Sequence, residues 1–153
     1  MSRAFTRESD EPAPLPERPI SSHPNLVTAR GLEAIEAQIR ALESERRAAR
    51  AAADGALRAR VERDLRYWTA RRASARVVPK VGAPDRVRFG MQVTLRSADG
   101  AEQTFRLVGE DEADAAHGLL SWVSPLAQAL LGRGVGDSVP FQGAEAQILR
   151  LEP

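Results

Sequence analysis

The apolar residues of this chain change their spacing at Pro79, and that switch demands a different kind of structure on either side of it. Upstream, Leu32, Ile35, Ile39 and Leu42 recur at intervals of 3, 4 and 3, the seam of a coiled coil. Thr28 precedes the seam as its expected N-cap, since its hydroxyl can accept an amide hydrogen that the first turn leaves unpaired. The seam continues through Arg46, Ala49 and Ala53, where small residues permit closer helix approach, and breaks at Asp54-Gly55. Asp54 favours a turn there, and Gly55 tolerates the left-handed backbone that ends a helix. A second helix is expected from about Ala56, with Leu57, Val61, Leu65 and Trp68 on one face. Arg58, Arg63, Arg66, Arg71 and Arg72 lie elsewhere, as a solvated face opposite Glu33, Glu36, Glu43, Glu45 and Glu62. Two seams joined by a tight turn predict an antiparallel helical hairpin over 28–78, with arms about 30 to 36 Å long.

Beyond a linker at 79–85, the period falls to two. Val87 and Phe89, then Val93 and Leu95, alternate with polar residues. Ala98-Asp99-Gly100 is a hairpin signal, and Phe105 and Leu107 return on the partner strand. Leu119 to Val123 reads as a further strand. Ser124-Pro125 then opens a helix of about two turns that carries Leu126, Leu130 and Leu131 and stops at Gly132. Val135–Phe141, a turn at Gln142-Gly143, and Ala144–Leu151 supply the last strand pair. The expected class is α+β: a helical hairpin, then at 86–153 a small antiparallel sheet covering one short helix.

Ahead of the hairpin, residues 1–27 read as a mobile tail, because Pro12, Pro14, Pro16, Pro19 and Pro24 interrupt a charged, apolar-poor stretch. The chain of 153 residues has no cysteine, which removes disulfides and thiolate metal sites, and only His23 and His117. No apolar run approaches the roughly 18 residues of a membrane span, and the N-terminus lacks a signal-peptide core, so a cytoplasmic protein is expected. A net charge of +1 does not by itself demand a nucleic-acid partner. Lys80 is the only lysine among 22 basic residues, a bias spread too evenly to mark a site.

Candidates for catalysis are weak. Gly132, Gly134 and Gly136 mimic a phosphate loop, but they follow a helix and lead to a strand, the reverse of the nucleotide-binding order. His117 lies in a loop with nothing to bring it to a nucleophile.

The run VGEDEAD at 108–114, the SPLAQALLG helix at 124–132 and VGD at 135–137 together resemble the C-terminal domain of the bacterial GreA/GreB transcript-cleavage factors. The helical half is similar too, in VTARGLEAIEAQIRALE at 27–43 and RDLRYWTARRASARVV at 63–78. The opening MSRAFTRE and a later HPN look like those of some GreB-like proteins. The resemblance implies an FK506-binding-protein-like C-terminal domain and RNA polymerase as partner. Trp122, Val123, Ser124 and Pro125 would dock on the polymerase rim, with the hairpin in the secondary channel. Contact with RNA or DNA inside that complex is implied as well, with the factor a monomer, not itself an enzyme, and without cofactor. Many relatives have Asp or Asn where Val123 stands. Ser124-Pro125 also serves simple helix initiation, and Trp122 suits either a core or an exposed anchor. Prolyl isomerase activity is not expected, because Phe89, Phe105, Trp122 and Phe141 fall mostly at core positions.

The hairpin tip departs from the family. Cleavage-stimulating members carry a segment like G-D-x-x-E-N-A-x-Y, whose two acids help hold a catalytic metal ion. Asp54 matches the first acid, but Leu57 stands at the second. Each arm is about five residues, or ~8 Å, shorter. Asp54 therefore reads as a turn residue, no metal site is expected, and the alternative is a Gre-like relative that occupies the channel or rim without stimulating cleavage.

Overall fold

The computed structural model describes residues 14–153. Thr28 caps α1 (Ala29–Ala51) by accepting the Gly31 N–H through its hydroxyl, 2.9 Å away. Helix α2 (Gly55–Ser74) returns antiparallel along it, and Ile35, Ile39, Leu42, Val61 and Leu65 are buried between the two arms. Leu32, Leu57 and Trp68 close the edges of this seam, and Ala49, 1 % exposed, lets the arms approach near the tip. Each fully buried aliphatic side chain contributes about 1.5–3 kcal/mol, and this packing, more than helix propensity, holds the two arms together.

The turn at the tip is built two residues earlier than expected. The Asp54 N–H reaches Ala49 O at 3.0 Å and the Ala53 N–H reaches Arg50 O at 3.2 Å, the paired bonds of a Schellman motif. The left-handed residue is therefore Ala53, at φ 51°, and not Gly55, which already lies in α2. Asp54 is extended and caps α2. A Cβ in the left-handed region is strained, so Ala53→Gly is expected to stabilise the hairpin by about 0.5–1 kcal/mol in urea unfolding.

The five-stranded sheet comprises β3 (Gln92–Arg96), β4 (Glu102–Val108), β5 (Leu119–Ser121), β6 (Ser138–Phe141) and β7 (Ala144–Glu152). Its order is β5-β4-β3-β7-β6. The expected hairpin turns form: Gly100 at φ 87° joins β3 to β4, and Gln142-Gly143, both at positive φ, joins β6 to β7. The sheet is mixed, however, where an antiparallel one was expected, because β5 runs parallel to β4. The connection through an acidic loop (residues 110–114) and a 3-10 turn at Ala115–His117 carries the chain back alongside β4, so Leu119 pairs with Arg106. Gly118 makes this return possible: at φ 71° it lies so near β4 that a Cβ would meet Thr104 O at 2.8 Å.

Val87 and Phe89 also differ from the expected strand. Val87 is buried but pairs through its backbone with Gly132 and Arg133, and Phe89 turns into Gly90 at φ 86°. Helix α3 (Pro125–Leu130) covers the sheet and buries Ala127 and Leu130 against Val93, Leu95, Leu107, Val139 and Ile148.

Residues 14–27 are not the loose tail expected of them; residues 1–13 lie outside the described stretch. Leu26–Val27 (β1) pairs in parallel with Arg76–Val77 (β2), and Glu17, Arg18 and Asn25 bond to α2. Prolines that prevent helix here suit an extended strap, whose polar groups find partners on the hairpin. Among the described residues, no helix is long and apolar enough to cross a membrane.

Candidate functional site

The four loop residues singled out in sequence are contiguous at the start of α3. The Trp122 N–H donates to Val108 O at 2.9 Å, extending the β4–β5 pairing by one step. The Ser124 N–H donates to Ser121 O at 3.0 Å, and its hydroxyl accepts the Ala127 N–H at 3.3 Å. Gln128 Nε2 donates to Trp122 O at 2.7 Å, which fixes the loop from the helix side. Pro125 is exposed at the first helical position, while Trp122, Val123 and Ser124 are half-buried. Trp122 is thus neither wholly core nor a free anchor: the His23 ring meets it edge-on at 6.1 Å, and its indole N–H is enclosed without an acceptor among the described residues.

Asp54 lies at the far end of the hairpin, away from this loop. Its Oδ1 accepts the Leu57 N–H at 3.0 Å, and Leu57 packs against the seam. A hard divalent cation prefers several oxygen ligands, and here one carboxylate oxygen is engaged as a helix cap while the paired position is an aliphatic side chain. The tip therefore does not fit the metal that the family's two-acid segment would hold. Among the described residues, no three His, Asp or Glu side chains gather as a ligand set.

The residues that sequence reading missed are those joining the hairpin to the sheet domain. Arg71, expected on the solvated face, has a side chain only 2 % exposed. Its Nε donates to Asp111 Oδ2 at 2.6 Å, and its terminal nitrogen donates to Asn25 Oδ1 at 2.8 Å and lies 3.8 Å from Glu110. Asn25 in turn donates to Arg71 O at 2.8 Å. Glu112 accepts from the Thr28 hydroxyl, so the residue that caps α1 also binds the acidic loop. The available signal was spacing, since Arg71 follows Trp68 by three and so continues the seam.

Tyr67 belongs to the same cluster. Its hydroxyl donates to Asp111 Oδ1 at 2.6 Å, and the Arg18 guanidinium stacks on its ring at 3.9 Å. Burial, reinforced by the Asp111 hydrogen bond and charge, pushes the phenol up to about 12. The folded pKa is raised above the ordinary value near 10, so the associated stability is complete below about pH 10 and is lost between about pH 10 and 12. Tyr67 is the only tyrosine, so tyrosinate absorbance reports it alone. The titration midpoint is expected near 12 in the folded protein, and Tyr67→Phe should flatten the fall in stability over that interval.

Residues 82–151 match the family "Transcription elongation factor, GreA/GreB, C-term". A GreB of Neisseria meningitidis is 42 % identical over 98 residues, which is 60 % of each chain, so the match spans less than two thirds of that relative's length. A GreA of Acidiphilium cryptum is 33 % identical over 141 residues, covering 78 % of this chain and 90 % of the relative. A solved GreA/GreB factor of Nitrosomonas europaea superposes with a TM-score of 0.40 at 23 % identity, over 82 % of this chain and 97 % of that one. The similarity to the Acidiphilium protein runs through hairpin and sheet alike, and on it the chain belongs to the GreA/GreB transcription elongation factor family.

Proposed function

We propose that this protein is a cytoplasmic Gre-type elongation factor that binds RNA polymerase through its sheet domain and directs its hairpin toward the secondary channel. The observation that carries the reading is the loop at 122–125. It lies within the stretch matching the GreA/GreB C-terminal family, is braced by Gln128 and Ser121, and presents Pro125 to solvent. A braced loop that presents an exposed proline beside a half-buried tryptophan suits an interface, where large aromatics act as anchors. The partner is tested by capture on core RNA polymerase. Ser124→Arg with Pro125→Gly is expected to weaken binding about 10-fold or more, equivalent to ~1.4 kcal/mol. Loss of the cap costs the fold only about 1 kcal/mol, so circular dichroism should still report the native sheet. Unchanged binding would show that the docking surface lies elsewhere.

A second reading concerns what the bound factor does. The engagement of Asp54 as a helix cap and the presence of Leu57 beside it favour a factor that occupies the channel or rim without stimulating transcript cleavage.

A further inference from the structure

The hairpin and strap meet the sheet domain through a narrow polar junction. Among the described residues, every side-chain hydrogen bond or ion pair that crosses it ends on Glu110, Asp111 or Glu112. The strap fits tightly against the same loop, since a Cβ on Gly109 would meet Leu26 O at 2.4 Å. Beside these contacts a cleft of about 460 Å³, lined in part by Arg30, Val78, Phe89 and Arg106, separates the base of the hairpin from the sheet. Units joined by a small polar interface move relative to each other unless particular contacts forbid it.

We propose that Arg71 is the positioning residue that sets the direction in which the hairpin leaves the sheet domain, with the strap as its second anchor. A planar guanidinium offers donors in several fixed directions, and here it spans three segments at once: its own helix, Asp111 of the acidic loop and Asn25 of the strap. It also lies 3.8 Å from Glu110 Oε2, which is buried with no hydrogen-bond partner among the described residues, while the His23 ring lies 3.8 Å from the other carboxylate oxygen. Removing the guanidinium leaves Asp111 with the Tyr67 hydroxyl and Glu110 with the His23 ring, and the loop that bears them is held less firmly to α2. The Tyr67 and Thr28 hydroxyls still donate to Asp111 and Glu112, and Leu26 still abuts Gly109, but none of these contacts ties loop, α2 and strap together through one group. The hairpin is a lever of about 35 Å, so ~10° of swing at its base moves the tip by about 6 Å.

The direction is measured on the free protein. The chain has no cysteine, so Ala48→Cys near the tip and Glu145→Cys on β7, both exposed, accept spin labels at those two positions only. One narrow distance is expected in the parent protein. Arg71→Gln should broaden it or shift it by about 6 Å or more, while helicity and the melting of the sheet domain persist. If Arg71→Gln alone unfolds the hairpin, Arg71→Gln with Asp111→Asn, which removes both charges of the pair, is expected to show the same broadening. An unchanged narrow distance in a folded variant of either kind overturns the proposal. The consequence for transcription, that tip placement in the channel depends on Arg71, rests on the polymerase-binding reading. Failure of the parent protein to bind polymerase would defeat that reading and leave the distance result standing.

Discussion

A backtracked RNA polymerase complex given this protein is expected to keep its transcript intact and to lose the cleavage that an added active GreA or GreB factor would cause. The chemistry of the tip sets the first part. Perturbing even the outer partners of a metal site typically costs 10–100-fold, and here a ligand itself is replaced, since Leu57 supplies no oxygen and Asp54 Oδ1 is held by the Leu57 N–H. Any stimulated rate should therefore fall at least about 10–100-fold below that of a two-acid tip. Arms shorter by ~8 Å add a geometric deficit that side-chain extension cannot recover. The second part follows from mass action, because a docked factor that does not cleave excludes one that does. Robust cleavage that disappears in Asp54→Ala would sink this reading.

Arg71→Ala is expected to cost about 3–5 kcal/mol in denaturant unfolding, the range for removing one partner of a buried ion pair. The loss comes less from the missing attraction than from what is left behind: Asp111, with a side chain 10 % exposed, would keep only the Tyr67 hydroxyl as partner. Arg60→Ala is the control. Arg60 pairs with Glu45 and Asp64 from an exposed position, and such pairs contribute about 0–1 kcal/mol. A double-mutant cycle between Arg71 and Asp111 should give a coupling of about 0.5–3 kcal/mol, since the two are in direct contact. Equal costs for Arg71→Ala and Arg60→Ala would mean that the clasp stabilises nothing.

Local patterns determined both helices, their seam and most of the strands, because burial of one face imposes periods of 3.6 and 2 that any reading of the chain can detect. Thr28, Ser124, Gly100 and Gln142-Gly143 were legible for the same reason: caps and turns depend on a few neighbouring residues. The loop at 122–125 and the altered tip were also visible, as agreement with or departure from a familiar pattern. Where the acidic loop goes was not. Glu110, Asp111 and Glu112 showed only as part of a family-like run, and Arg71 as one more exposed arginine; only chain segments distant in sequence, brought together, set Arg71 against Glu110 and Asp111. The strap was misread likewise, because low apolar content argues for disorder only while its polar groups have no partners, and Arg66, Asp64 and Arg71 supply them from the other side of the hairpin turn. The parallel placement of β5 depends on where a long loop ends, and the close fit of Gly118 against Thr104 decides that. Period and capping are properties of consecutive residues, whereas compensation of charge at a junction is a property of the folded chain alone.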